Sequence, residues 1–175
     1  FIHQVMADMR HSGVDYLAIE TSSHALDLYR VEDVCFDVAV FTNLTPEHLE
    51  AHGGFENYKQ AKALLFQAVA SASPKLIDGK MVTKTFVLHH GTAHVDFYAA
   101  QARSHVSLLW YGVEGSAAHV VAKHIRSSSD GMEFIVDDIP VQLRLSGKHN
   151  VENALAALAT CRALQVNMPE AIKAL

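Results

Sequence analysis

The sequence is poor in cysteine and has no surplus of charge. Its two cysteines, Cys35 and Cys161, are far apart and match no metal-binding or redox spacing, so we predict ordinary buried thiols in a reducing cytoplasm. The formal net charge is −5, and lysine and arginine do not cluster. This pattern excludes a basic surface for nucleic acid or for an anionic membrane.

Long apolar runs are also missing. No uninterrupted stretch approaches the roughly 18 to 20 apolar residues that span a bilayer, and residues 1–13 predict a helix instead of a signal peptide. Hydrophobic residues make up 50% of the chain and charged residues 19%, which suits one soluble globular domain with a core. The chain starts without methionine and stops inside a helical pattern, so we expect it to be cut at both ends.

The hydrophobic pattern predicts alternating helices and strands. The first helix precedes Gly13, and later stretches change from continuous apolar runs to short alternating ones. The predicted strands are 16–19, 38–41, 85–88 and 106–111, the predicted helices are 55–72 and 150–164, and 118–145 forms antiparallel hairpins. These elements predict an α/β fold with a mostly parallel sheet, flanking helices and a small antiparallel hairpin set.

Polar residues follow the first predicted strand. Glu20 comes directly after it, where α/β sheets place ligand-binding groups, although a solvated loop acid would look the same. The small hydroxyls and imidazole of 21–24 could hydrogen-bond an oxyanion, and Arg30 could clamp a carboxylate or phosphate. Serine and threonine also favour turns, so this run is ambiguous by itself.

A second polar run, 43–53, follows the next predicted strand. His48 and His52 are four residues apart, but Pro46 and the two glycines at 53–54 interrupt a helix, which disfavours zinc. One histidine acting with carboxylates on magnesium remains open, although magnesium prefers oxygen ligands.

Lys62 is the most informative single residue. It falls near the middle of the apolar arc of helix 55–72, whereas Lys59 and Gln60 point away from that arc. A snorkelling side chain with its ammonium in water would explain this position. A modified or metal-associated lysine with a depressed pKa is the alternative explanation, and the pattern alone favours the snorkelling side chain over it.

The third polar run, 147–153, joins the last strand to the last helix. Asn150 suits an N-cap, and a helix N-terminus after glycine can also receive an anion or a polar ring. Asn153 lies one turn further on, where a capping role explains it less well.

Taken together, these runs resemble the Mur ligases, and within that family the MurE type, the UDP-N-acetylmuramyl-tripeptide synthetases. The matching segments are Glu20–Leu26, Arg30–Val31, Val40–His48, His52–Gly53, Tyr58–Lys62 and Gly147–Asn153. The resemblance covers about two thirds of the chain. It implies a cytoplasmic, monomeric, ATP-dependent amide ligase of peptidoglycan synthesis, active in cell-wall biogenesis, cell shape and cell division.

The resemblance also implies the substrates and the roles of individual residues. The reaction adds an amino acid, diaminopimelate or lysine, to UDP-N-acetylmuramoyl-L-alanyl-D-glutamate through an acyl phosphate. By match, the residues would act in three groups: Glu20, His48 and a carbamylated Lys62 on Mg²⁺; Ser22, Ser23, His24 and Arg30 on the muramyl substrate; and Asn43, His149, Asn150 and Asn153 on ATP.

Departures from the family pattern limit these expectations. The glycine-lysine-threonine phosphate loop of such ligases is absent, so 1–175 would be a partial central domain, inactive alone and without the N-terminal UDP-binding and C-terminal amino-acid-binding domains. Residues 87–96 replace the usual asparagine and paired aspartates. A non-catalytic muramyl-nucleotide-binding module and a sister ligase that forms another amide are the alternatives, and the run 22–24 disfavours the sister ligase.

Overall fold

The computed structural model describes residues 1–175 except Glu47, His48, Asp78 and the side chain of Leu49. The chain divides into two compact units, the first made of 1–35 and 46–65 and the second of 36–45 and 66–175. The helices are α1 Ile2–His11, α2 Ser23–Asp27, α3 Leu49–His52, α4 Phe55–Ser71, α5 Val95–Ala99, α6 Lys148–Ala163 and α7 Met168–Lys173. The strands are β1 Val38–Phe41, β2 Lys75–Ile77, β3 Lys80–Val82, β4 Thr85–His89, β5 Ser107–Val113, β6 Val120–Ser128, β7 Gly131–Val136 and β8 Ile139–Leu143.

A six-stranded sheet forms the frame of the second unit, in the order β1-β4-β5-β6-β7-β8. The pairs β1–β4, β4–β5 and β5–β6 are parallel, and the pairs β6–β7 and β7–β8 are antiparallel. The predicted fold class is therefore confirmed, including the antiparallel hairpins.

Both faces of this sheet are covered. On one face, α6 inserts Val151, Leu155 and Leu158 into a core that also holds Val87 and Val136. Successive residues of a strand point to opposite faces of the sheet. The residues that point to the other face belong to an aromatic cluster. Its rings are Phe41, Phe66, Phe86 and Tyr98, with Phe41 and Tyr98 stacked at 4.4 Å between centroids.

The first unit has a different character. Its helix α1 forms where the sequence predicts it, yet none of its residues is buried. The predicted buried strand at 16–19 is wrong, because Tyr16 and Leu17 are 62% and 43% exposed and the segment is irregular. A short apolar run becomes a strand only when a neighbouring strand pairs with its backbone groups, and no such partner occurs among the described residues.

The structure adds one element that was not predicted and corrects two further expectations. The small hairpin β2–β3 was not predicted, since its strands have only three residues each. Helix α6 begins at Lys148 with Gly147 as its N-cap, so Asn150 lies inside the first turn and is not the cap. Cys35 is exposed, whereas Cys161 is half-buried and burial raises the pKa of its thiol.

No helix in the described part of the chain combines the length and the apolar character needed to cross a bilayer.

Candidate functional site

The candidate substrate residues of the first unit lie on and beside the short helix α2. Ser22 is its N-cap, with an extended backbone (φ −73°, ψ 156°), and its hydroxyl oxygen accepts the backbone N–H of Ala25 at 3.1 Å. This contact starts the helix by satisfying one N–H that has no partner within it. The Ser22 hydroxyl hydrogen is not used by this contact and can still be donated to a ligand.

Ser23 and Asp27 are joined through a histidine from α3. The Ser23 hydroxyl oxygen lies 2.9 Å from His52 Nε2, and Asp27 Oδ2 lies 2.8 Å from His52 Nδ1. Ser23 is 5% exposed, the His52 side chain 2% and the Asp27 side chain 42%. The imidazole is therefore enclosed, and both of its nitrogens have partners inside the first unit.

Two rings and an amide enclose His52 further. The rings of His24 and Tyr58 lie 4.9 and 5.5 Å from that of His52, centroid to centroid. The Asn57 side-chain amide donates to the His52 carbonyl at 2.8 Å. His52 was not among the predicted site residues, although it lies four residues after His48 in the sequence. Its hydrogen-bond partners, Ser23 and Asp27, are too distant in the sequence to be identified from local patterns.

Lys62 is half-buried on α4, and its ammonium lies 5.3 Å from the centroid of the Tyr58 ring. A cation over an aromatic face is stabilised by the ring quadrupole. Lys59 was expected to point away from the apolar arc as a surface residue does, yet its side chain is only 14% exposed and pairs with Glu56 at 2.7 Å. Burial on α4 therefore does not distinguish Lys62 from Lys59.

Glu20 and Arg30 present their charges to solvent. Both residues are exposed, and neither charged group has a side-chain or backbone partner among the described residues. The Arg30 backbone N–H donates to the Ala25 carbonyl at 2.8 Å, which anchors this arginine just after α2. Because the strand expected before Glu20 is not formed, no strand end orients its carboxylate in the described part of the chain.

A magnesium site of three side chains cannot be traced in the structure. The described residues contain no group of three histidine, cysteine, aspartate or glutamate side chains placed to hold a metal ion, and His48 lies outside them. The chemistry of the candidate donors fits magnesium nevertheless, because a glutamate and a lysine carbamate both offer oxygen atoms.

In the second unit, polar groups collect where β1 and β4 end. These strands are parallel, so Asn43 after β1 and His89 at the end of β4 lie at the same edge of the sheet. The His89 ring stacks on Tyr111 at 4.8 Å and 9°, and its Nδ1 lies 3.1 Å from the Thr42 carbonyl oxygen. Residues 87–96, which depart from the family pattern, thus contain a histidine ring held by contacts within the second unit.

Tyr111 and α6 add buried polarity at this edge. The Tyr111 hydroxyl donates to the Phe41 carbonyl at 3.1 Å, and burial, followed by the negative charge of Glu152, raises the pKa of this tyrosine. A neutral hydroxyl that can donate is therefore favoured.

The first turn of α6 brings two predicted nucleotide residues together. Asn150 donates from Nδ2 to the Ser146 carbonyl at 2.8 Å, and Asn153 Nδ2 lies 3.5 Å from Asn150 Oδ1. Gly147 has φ 98°, and a Cβ there would come within 2.7 Å of His149 Cε1, so glycine lets the exposed His149 ring lie over the turn. Among the described contacts, none joins Asn43 to this group.

One buried charge lies at the opposite ends of these strands, where β1 and β4 begin. Lys84 is fully buried, and its ammonium donates to Asp37 Oδ1 and to the Phe36 carbonyl, each at 2.8 Å. Lys75 binds the second oxygen of Asp37 at 2.9 Å. Asp37 and Lys84 immediately precede β1 and β4, so this charge cluster joins the strand starts and lies away from the candidate residues at the strand ends.

Known proteins are similar to this chain in sequence and in fold. Residues 2–161 match the Mur ligase middle domain family. The chain is 36% identical over 180 residues to a UDP-N-acetylmuramyl-tripeptide synthetase of Roseiflexus sp. (strain RS-1), covering 99% of this chain and 35% of that protein. It is 35% identical over 166 residues to a UDP-N-acetylmuramoyl-L-alanyl-D-glutamate--2,6-diaminopimelate ligase of Geobacillus kaustophilus (strain HTA426), covering 93% and 32% respectively.

A solved structure agrees with these relatives. The structure of a UDP-N-acetylmuramoyl-L-alanyl-D-glutamate--2,6-diaminopimelate ligase superposes with a TM-score of 0.80 at 26% identity, covering 95% of this chain and 33% of that one. The chain thus spans about a third of the length of the relatives it matches. From the family match and this shared fold, we conclude that the chain belongs to the Mur ligase family, where it corresponds to the middle domain.

Proposed function

We propose that the protein containing this chain is an ATP-dependent ligase that adds the third amino acid to UDP-N-acetylmuramoyl-L-alanyl-D-glutamate. The observation that carries the proposal is the 36% identity, over 99% of the chain, to a tripeptide synthetase. The exposed, polar surface of α2 and Arg30 supports it, since these groups suit an anionic, hydrogen-bonding substrate.

In the proposed reaction, the glutamate carboxylate of the muramyl dipeptide attacks the γ-phosphorus of ATP and ADP leaves. The amine of the incoming amino acid then attacks the acyl carbon, loses a proton and displaces phosphate. Arg30 binds an anionic group of the muramyl substrate in bidentate fashion, while Ser22 and His24 donate or accept hydrogen bonds beside it. Ser23 is held by His52 and orients α2.

Magnesium fits the proposed reaction because phosphoryl transfer develops charge that a cation neutralises. Glu20, His48 and a carbamylated Lys62 are the residues that would hold it. Carbamylation replaces the Lys62 cation by an oxygen ligand, which suits a hard cation better than an amine does.

The nucleotide is assigned to the second unit. Asn43, His149, Asn150 and Asn153 are the proposed contacts of ATP, and the pairing of Asn150 with Asn153 supports a common role for these two amides. We assign the phosphate-binding loop and the domain that selects diaminopimelate or lysine to other parts of the protein, and a monomeric, cytoplasmic enzyme remains the prediction.

The test uses the full-length protein encoded by the gene. We expect phosphate release from ATP only when the muramyl dipeptide and one amino acid are both present, with one amide formed per phosphate. Omitting either substrate is the control. Phosphate release without amide formation, or none with any amino acid, would contradict the proposal.

A non-catalytic muramyl-nucleotide-binding module is the second candidate. The observation that favours it is the His89 ring, which stacks on Tyr111 and bonds the Thr42 carbonyl at the sheet edge proposed for nucleotide. Calorimetry on the full-length protein separates the two functions, because such a module would bind UDP-muramyl-dipeptide but release no phosphate after ATP and amino acids are added.

A further inference from the structure

The hydrogen-bonded chain Ser23–His52–Asp27 has a defined polarity. An ionised aspartate can only accept hydrogen bonds, so the hydrogen between Asp27 Oδ2 and His52 Nδ1, 2.8 Å apart, belongs to Nδ1. In the neutral ring, Nε2 is then the acceptor. With the ring neutral, the Ser23 hydroxyl, 2.9 Å from Nε2, donates its hydrogen to the ring.

This polarity gives the two adjacent serines opposite properties. Ser23 donates its hydroxyl hydrogen to His52, so it can only accept hydrogen bonds from a ligand. Ser22 accepts from the Ala25 N–H and keeps its own hydrogen for donation. A substrate oxygen facing the start of α2 therefore meets one donor hydroxyl, and the histidine determines which serine supplies it.

Serine, histidine and aspartate in this order also occur in hydrolases, where the serine is a nucleophile. Here Ser23 is 5% exposed and the His52 side chain 2%. A nucleophile has to approach a carbonyl carbon to bonding distance, and an enclosed hydroxyl does not offer that approach. The burial instead favours a fixed structural arrangement with little exchange with water.

The same histidine connects α2 to the helix that carries Lys62. Its carbonyl accepts the Asn57 amide at 2.8 Å, and its ring lies 5.5 Å from that of Tyr58. The Lys62 ammonium lies 5.3 Å from the Tyr58 centroid. A displacement of His52 would therefore change the contacts of both α2 and the start of α4.

We propose that His52 is a positioning residue of the ligase reaction, which fixes α2 so that Ser22, and not Ser23, donates to the muramyl-dipeptide substrate. This inference rests on the proposed function for its substrate. Its hydrogen-bond polarity rests on the two measured distances together with an ionised Asp27 and a neutral His52 ring, and it can be tested separately.

The kinetic test removes the acceptor that sets this polarity. In the full-length enzyme, Asp27→Ala should raise the KM for UDP-muramyl-dipeptide about tenfold, the effect expected for losing one hydrogen bond to a charged group. The KM for ATP should stay unchanged. Asp27→Asn retains an oxygen that accepts the Nδ1 hydrogen, so it should recover most of the loss.

The matched control is His11→Ala, which removes an exposed histidine of α1 in the same unit. It should leave both KM values unchanged. An unchanged KM for the muramyl dipeptide in Asp27→Ala, or equal impairment in Asp27→Ala and Asp27→Asn, would overturn the positioning role.

The spectroscopic test does not need activity. In full-length protein labelled with ¹⁵N-histidine, the His52 resonances, assigned by their loss in His52→Gln, should report the Nδ1–H tautomer. An Nε2–H tautomer or a doubly protonated ring would overturn the inference, as would covalent labelling of Ser23 by a fluorophosphonate. If the protein releases no phosphate yet shows the Nδ1–H tautomer, the proposed function fails while the hydrogen-bond polarity stands.

Discussion

The two units of this chain are built on different interactions. The second unit, 36–45 and 66–175, buries apolar side chains from strands and from α6 in one continuous cluster. In the first unit, 1–35 and 46–65, α1 buries no residue, and α2 is held by hydrogen bonds from Ser22, Ser23 and Asp27. The comparison indicates that apolar packing dominates the second unit, whereas hydrogen bonds position the candidate residues of α2 in the first unit.

The largest expected effect tests the chemical role of the first unit. Lys62→Ala in the full-length enzyme should lower kcat about 100-fold or more, the range seen when a group that stabilises developing charge is removed. Added small carboxylic acids should partly restore turnover by replacing the carbamate oxygens. The control is Lys59→Ala on the same helix, which breaks the pair with Glu56. Equal turnover of Lys62→Ala and wild type would refute the carbamate assignment.

The next effect compares the two units in stability. Leu155 is 0% exposed in the core of the second unit, and Leu155→Ala should lower the free energy of unfolding by about 4 kcal/mol through lost burial and a cavity. Val5 lies on α1, which has no buried residue, so Val5→Ala should cost about 0.5 kcal/mol. Urea unfolding of both variants measures the difference, and similar costs would remove the distinction between the units.

A third prediction concerns the buried charge of the second unit. Lys84→Ala removes a fully buried cation and leaves the Phe36 carbonyl without its donor, so it should cost about 3 kcal/mol. Lys75, whose side chain is 32% exposed, binds the other oxygen of Asp37, and Lys75→Ala should cost less than about 1 kcal/mol. If urea unfolding ranks the two lysines in the opposite order, the charge cluster does not join the strand starts as described.

The smallest effect leaves the fold intact. Cys35 in the first unit is exposed, while Cys161 in the second is half-buried with a raised pKa. Because the thiolate is the nucleophile, iodoacetamide at neutral pH should modify Cys35 first, and Cys161 should become reactive as the pH rises or the protein unfolds. Mass spectrometry of the two peptides over time gives the order, and faster modification of Cys161 would contradict the burial difference.

Prediction from sequence worked well where the apolar pattern is continuous. The strand beginning at Val38, the strand beginning at Thr85 and the long helix beginning at Phe55 form as expected. It failed at 16–19, whose apolar residues look the same but have no strand partner among the described residues. A strand depends on pairing with a distant part of the chain, and local composition carries no information on that.

The candidate site was predictable as a set of residue types but not as a network. The resemblance selected Ser22, Ser23 and His24 together, and the structure gives each hydroxyl a different partner. It included His52 in a matching segment but gave no role to His52 or to the buried Lys84, because their partners are 29 and 47 residues away in the chain.

The sequence by itself determined the family, the α/β class and the residue types of the candidate site, since these follow from motifs and from hydrophobic periodicity. Only the tertiary structure decided which groups meet. It placed Asp27 and Ser23 on the two nitrogens of one enclosed imidazole, and it placed Lys84 against Asp37 between two strand starts. Hydrogen-bond polarity and charge pairing depend on distances between residues remote in sequence, and folding alone sets those distances.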